Sequence, residues 1–168
     1  MAEIECVLVV LDAGPLIHLD ELNCHRVLEG FEKLLIPSAV WNETLRHRPL
    51  LTLSQIPRAQ IADPRGLPPV NLAAANPVAE LHLGEIAALT LLHEAGGGLL
   101  LSDDDAARRT AEALGYSVSG TLGLLLRGVR RNLITSDEVR AIARDLPARS
   151  TLHVSRAVRA RFAAAIPD

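Results

Sequence analysis

Apolar residues along this chain come in short unbroken runs more often than in strict alternation. Residues 7–11, 34–36 and 99–101 are apolar at every position. Such runs suit strands covered on both faces, as in a parallel sheet between helix layers. The first run is broken by Asp12-Ala13-Gly14-Pro15, and Pro15 suits the first turn of a helix. Asn23 predicts a cap for a helix through about Phe31. Pro37 stops the second run, and Ser38 predicts the cap of a helix carrying Val40, Trp41, Glu43 and Leu45. Residues 49–76 contain Pro49, Pro57, Pro64, Pro68 and Pro69 and have weak periodicity. They read as an irregular excursion, with a short helix or strand within 55–62.

The pattern resumes with a helix over 77–94, stopped by Gly96-Gly97-Gly98. A strand follows at 99–102, then a helix over 105–114 ended by Gly115. A short strand at 117–119 leads to a helix capped by Thr121 and running to about Arg131. Ser136 predicts the cap of another helix, and 151–165 an amphipathic last one. In that last helix the stripe 154, 158, 162 and 166 is read as core packing, with a dimer or partner face as the alternative. Strand–helix–strand alternation predicts an α/β fold with a parallel sheet between helices. The 168 residues fit a single domain over 1–168, with its core over about 5–135 and C-terminal helices over 136–168.

Composition narrows the class. Aromatic residues make up only 2% of the chain, so Leu, Val, Ile and Ala must build the core. The two cysteines, Cys6 and Cys24, offer no metal-ligand spacing and no disulfide framework, which points to the cytoplasm. Cys6, within an apolar run, reads as a buried core residue. No secretory leader is evident. No apolar run is long enough to span a bilayer, so no membrane role is expected.

The net charge of −3 conceals an uneven distribution. Residues 1–105 hold 15 acids and 6 bases, whereas 106–168 hold 5 acids and 11 bases. Sixteen of the 17 bases are Arg, whose planar fork suits phosphate. An acidic half beside an Arg-rich half is a pairing a nuclease can use. Most of these Arg, taken singly, read as solvated helix faces or intramolecular ion pairs.

The acids are where the chemistry gathers. Asp12 ends the first strand, and a carboxylate there is destabilising unless something compensates it. It reads as a metal ligand or as the N-cap of the next helix. Glu85 emerges from an apolar helix on the side of Ala88, Leu89 and Leu92. It reads as a ligand or as a first-turn Glu that satisfies the helix dipole. Glu43 makes a similar case from a shorter helix. Of the triple Asp after the third run, Asp103 and Asp104 are nearest the strand end and read as ligands or shell residues. Asp105 reads as the helix cap or as exposed. Ser102 is a candidate donor to a metal-held water or a phosphate. Hard carboxylate oxygens at the carboxyl ends of strands suit Mg2+ or Mn2+. In parallel sheets that edge is also where ligands bind.

The six histidines form no metal frame. His82 and His93 are three helical turns apart and read as surface or interface residues. No P-loop, dinucleotide fingerprint or Ser-His-Asp frame occurs. Gly120-Thr121-Leu122-Gly123 reads as a capped turn where a helix packs closely.

Four stretches, taken in order, resemble PIN-domain proteins. They are Val10-Leu11-Asp12-Ala13-Gly14-Pro15-Leu16-Ile17, Ile36-Pro37-Ser38-Ala39-Val40-Trp41-Asn42-Glu43, Leu83-Gly84-Glu85-Ile86-Ala87-Ala88-Leu89 and Leu100-Leu101-Ser102-Asp103-Asp104. The later stretch from Ala106-Ala107-Arg108-Arg109 to Gly120-Thr121-Leu122-Gly123-Leu124-Leu125 resembles a prokaryotic branch of that superfamily, predicted to bind nucleic acid and related to the VapC toxins. The resemblance covers about residues 5–135. It implies a three-layer α/β/α sandwich with a central parallel sheet of about five strands. It also implies Mg2+- or Mn2+-dependent cleavage of RNA.

Carried over by position, Asp12, Glu43, Glu85 and Asp104 match the four acidic positions, with Asp103 beside the last. Glu85 stands where many relatives have Asp. Ser102 matches a small hydroxyl position. The Pro-rich excursion before residue 77 departs from the pattern.

The resulting expectation is a metal-dependent endoribonuclease, the toxin of a toxin–antitoxin pair. Asp12, Glu43, Glu85 and Asp104 would be catalytic, and these four with Asp103 would hold metal. Ser102, Arg108, Arg109, Arg127, Arg130 and Arg131 would hold RNA. The expected partners are RNA, a cognate antitoxin and a second copy of the chain in a dimer. The rival expectation is a catalytically inactive module that binds nucleic acid or protein. A phosphohydrolase of small esters is a third, disfavoured because no Asp-x-Asp follows the first strand.

Overall fold

The computed structural model describes residues 8–72 and 81–167. Five short strands form one sheet: β1 (Val9–Leu11), β2 (Leu34–Ile36), β3 (Ala59–Ile61), β4 (Leu99–Leu101) and β5 (Ser117–Ser119). All neighbours are parallel, in the order β3-β2-β1-β4-β5. The chain builds outward from β1 on one side, then returns beside β1 and builds outward on the other. The switch point therefore lies between β1 and β4, where Leu11 pairs with Leu101.

The helices are α1 (Ala13–Glu21), α2 (Ser38–His47), α3 (Leu83–Glu94), α4 (Asp105–Ala113), α5 (Thr121–Arg130), α6 (Ser136–Arg149) and α7 (Arg156–Ala164). Val9, Val10 and Leu11 are all fully buried, because both faces of the central strand are covered. Val9, Leu11, Leu34, Ile36 and Leu101 join a core with α1, α5, α6 and α7. Val10 and Leu100 turn to the other side, toward Ala88, Leu89 and Leu92 of α3 and Ala107 and Ala111 of α4. The result is a three-layer α/β/α sandwich. Its continuous apolar strands lack alternation for the reason the sequence suggests: neither face meets water.

Close approaches fix the helices that carry acids. A Cβ on Gly84 would stand 3.1 Å from Val40 Cγ2 and 3.5 Å from Glu43 Oε2. Gly84 thus lets α3 lie against α2 beside Glu43. Gly98, between α3 and β4, has φ 144°, and a Cβ there would meet the Leu8 carbonyl oxygen at 2.5 Å. Only glycine fits that turn, so the start of β4 is set against the segment leading into β1.

Several local expectations change. Asn23 caps no α-helix: it takes φ 55°, and a 3-10 turn follows at His25–Leu28. Pro37, not Ser38, stands at the N-cap of α2. The Ser38 amide and hydroxyl instead donate to Asp63, at 2.8 and 2.6 Å. Gly120 precedes α5 where Thr121 was expected to, and Thr135 replaces Ser136 before α6, in a reciprocal cap with Glu138. In each case the true cap lies one residue earlier. The Pro-rich excursion holds a 3-10 turn (Leu53–Gln55) and the edge strand β3.

Helix α3 begins at Leu83, later than expected, with Leu81 and His82 not helical; 77–80 of the expected span lie outside the described residues, as does Cys6. The last helix is shorter than expected, starting at Arg156 after the cap Ser155. Phe162 and Ile166 are buried in the larger core and Val154 packs against it, so these three of the four stripe residues pack inward, while Val158 is half-buried. Among the described residues, no helix is long and apolar enough to cross a membrane.

Candidate metal centre

The carboxyl ends of β1 and β4 meet through one serine. The Asp12 amide donates to the Leu101 carbonyl at 2.9 Å, extending the β1–β4 ladder by a residue. Ser102, fully buried, donates its hydroxyl to Asp12 Oδ2 at 2.8 Å. The Ser102 hydroxyl oxygen in turn accepts from the Asp104 amide at 3.1 Å. Ser102 therefore ties the first acid to the loop that carries the fourth. This corrects the expectation that Ser102 contacts RNA: its proton is given to Asp12 and no face of it is open.

Asp12 occupies the N-cap position of α1, yet its side chain makes no cap hydrogen bond to the helix. It is only 5% exposed. Burial pushes its carboxyl up to about 6, against the lowering by Ser102 and the Ala13 amide, and Glu43 and Asp104 push it the same way by repulsion. Glu85, in the first turn of α3, is 7% exposed. Its Oε2 accepts from the His82 amide at 2.7 Å, so it does serve the helix end. Burial still pushes it up to about 7, and the nearby Asp12 and Asp104 add to this. The reading of Glu85 as a first-turn residue serving the helix end holds.

Glu43 is half-buried on α2 beside Gly84. Asp104 is exposed and is the N-cap of α4, the role expected of Asp105. Its Oδ1 accepts from the amides of Ala106 and Ala107 at 2.8 and 2.9 Å. Both bonds fall on one oxygen, which leaves Oδ2 for another partner. Asp12, Glu43, Glu85 and Asp104 thus share one electrostatic neighbourhood, drawn from four elements.

Asp103 does not join it. Its Oδ2 lies 2.8 Å from His18 Nδ1 and accepts from the Thr121 hydroxyl at 2.6 Å. Its Oδ1 accepts from the Thr121 amide at 2.7 Å. It fastens the end of β4 to α1 and α5, and is absent from the charges that act on Asp12 and Glu85. Asp103 was also expected to hold metal; in this fold both its oxygens are engaged within the protein. His18 and Thr121 were not recognised as its partners in the sequence. The Gly120-Thr121-Leu122-Gly123 motif was the only signal, and it named a turn without naming what the turn binds.

The arginines divide. Arg108 donates from Nη1 to the Ser102 carbonyl at 3.1 Å, and that nitrogen lies against Gly120, as does Asp103. Arg109 is exposed on α4. Arg127 is corrected: its guanidinium lies 3.8 Å over the Phe31 ring and donates to the Gly30 carbonyl at 3.2 Å. It packs the start of β2 onto α5 and is not free for RNA. Arg130 and Arg131 follow at the same end of α5. That end is roughly 14 Å along the helix from Thr121, on the opposite edge of the sheet from the acids.

Among the described residues, no three His, Cys, Asp or Glu side chains are gathered closely enough to hold an ion as they stand. The chemistry of the donor set nevertheless fits a hard divalent cation. All four candidates are carboxylates, and in two of them burial and neighbouring acids make the charged form less favourable. A cation would relieve that repulsion.

A parallel sheet with acids at its switch point defines an α/β fold whose carboxyl edge is the usual place for a ligand. A family model described as a PIN domain matches residues 8–166. The chain belongs to the PIN-domain family. PIN domains are nucleases in general and typically use divalent metals. No curated protein matches the chain.

Proposed function

We propose that this protein is a Mg2+- or Mn2+-dependent endoribonuclease. The observation that carries the proposal is Asp12: a buried carboxylate at the β1–β4 switch point, held by Ser102 and repelled by Glu43 and Asp104. Asp12, Glu43, Glu85 and Asp104 would hold the cation. When bound, a divalent ion supplies Lewis-acid polarisation of the phosphodiester and lowers the pKa of water. The chain's own residues set the geometry. Ser102 fixes the Asp12 carboxylate in one rotamer, the α4 amides fix Asp104, and the His82 amide fixes Glu85. Arg108, anchored on the Ser102 carbonyl, and Arg109 on the same helix would supply positive charge toward the RNA backbone.

The test is incubation of the pure protein with mixed cellular RNA, with Mn2+ and with EDTA. Cleavage in Mn2+ that EDTA abolishes, and that Asp12→Asn lacks, is the expected result. Cutting by Asp12→Asn at the wild-type rate would overturn it.

A second reading is a binding module without turnover, favoured by the open spacing of the acids. Titration with Mn2+ by calorimetry separates the two, since such a module has no need of the ion. We further propose that the protein is the toxin of a toxin–antitoxin pair. Growth arrest on expression, relieved by a protein encoded next to it, is the result expected; expression that never slows growth would count against it.

A further inference from the structure

A second concavity lies beyond the acids, on the far side of Asp103. It is a cleft of about 510 Å3 between α4, the end of β5, the first turn of α5 and the segment entering α7. That volume is in the range of about 300–1,000 Å3 typical of small-ligand sites. Val118, Leu122 and Val158 give it apolar walls, while Ser119 and His153 give it polar ones. Arg108 stands on its border. One Arg108 nitrogen donates to the Ser102 carbonyl, and Ser102 in turn holds Asp12. A single residue thus separates the cleft's cation from the most buried acid of the candidate centre.

We propose that this cleft is a nucleoside subsite, taking the base and ribose of the nucleotide next to the phosphodiester held at the carboxylates. The proposal rests on the nuclease reading and adds to it the place where substrate is gripped. The wall chemistry selects the occupant. Asp103 and Asp105 also line the cleft, against Arg108 and His153, so a bare phosphate gains little there. A neutral base and sugar fit better. The base lies against Leu122 and Val158, and its edge meets a guanidinium, an imidazole and hydroxyls that can donate or accept. Proteins that read RNA do so mainly through such unstacked bases in single strands. The phosphate is left to the acid side, where a divalent ion would draw it.

The experiment measures binding of a labelled, mixed-sequence single-stranded RNA 12-mer by fluorescence anisotropy in EDTA. It compares wild type, Val158→Trp, which fills the cleft, and His153→Glu at an exposed position. Binding at least 5-fold weaker in both variants is expected, with unchanged circular dichroism and unchanged Mn2+ affinity. Cleavage in Mn2+ should then show a raised KM and an unaltered kcat. Wild-type affinity and KM in a folded Val158→Trp would overturn the subsite and leave the nuclease reading standing. If Val158→Trp does not fold, His153→Glu decides alone. Wild type that binds the 12-mer through the cleft but never cuts it would overturn the nuclease reading and leave the subsite as a binding site.

Discussion

Asp12 and Asp103 stand at the carboxyl ends of neighbouring strands, yet they have opposite electrostatic lives. Asp103 has both oxygens engaged, by His18, the Thr121 amide and the Thr121 hydroxyl. Asp12 has one serine bond, near-complete burial and other acids nearby, and its carboxyl is pushed up to about 6. A satisfied carboxylate is a fastener. An unsatisfied buried one remains in a fold only when something outside the chain completes it, or at a cost in stability. The difference separates a structural acid from a candidate ligand where the sequence shows two alike.

The sharpest break of that comparison is activity. Asp12→Asn should reduce Mn2+-dependent RNA cleavage to background, while Asp103→Asn keeps Mn2+ affinity in calorimetry. The reverse outcome would exchange their roles. Next comes stability. Asp103→Ala leaves the Thr121 amide and hydroxyl and the His18 ring without their acceptor, and should lower the unfolding free energy by about 3 kcal/mol in urea. Asp12→Asn, which removes a buried charge, should be neutral or stabilising in the absence of metal. Equal losses in the two variants would erase the distinction.

The third prediction concerns pH. Asp12 and Glu85 have folded-state values raised above the ordinary carboxylate range, so the native state binds protons more tightly than the unfolded chain. Their contribution is complete below about pH 4 and is lost as pH rises through about 6 to 7, by an amount on the order of 3 kcal/mol for each group. Metal-free protein should therefore lose part of its stability between pH 5 and 8, and Mn2+ should raise Tm more at pH 8 than at pH 5.5. A Tm shift independent of pH would mean that the ion binds elsewhere. The smallest effect belongs to the far end of α5. Arg127→Leu should cost about 1 kcal/mol through its lost stacking on Phe31 and leave RNA affinity unchanged. Weaker RNA binding would return it to the interface.

Much of this was legible in one dimension. Fully apolar runs, each ended by acid or proline, disclosed buried parallel strands. The positions of Asp12, Glu85 and Asp104 along the chain marked acids at a strand end or a helix start, and Glu43 an acid within a short helix. Caps were misplaced by one residue at α2, α5 and α6, because Ser or Thr near a helix start has other partners to choose from, as Ser38 and Thr121 do with Asp63 and Asp103. Edge strand β3 was half-seen: Ala59–Ile61 pairs along one edge only, and its side chains are mostly exposed.

The sequence alone determined the layer architecture and which carboxylates lie near the sheet's carboxyl edge, since both follow from local periodicity and strand punctuation. Only the tertiary structure decided how adjacent residues divide their work. Ser102, Asp103 and Asp104 are consecutive, yet one is buried as a tether, one is fastened to α1 and α5, and one faces the acids. Arg108 and Arg127 are of one residue type, yet one borders the acids while the other packs on Phe31. The physical reason is direction. Side-chain orientation and the partners that satisfy each charge come from elements 90 or more positions away along the chain, as with Ser102 and Asp12 or Arg127 and Gly30. Local pattern carries no record of them.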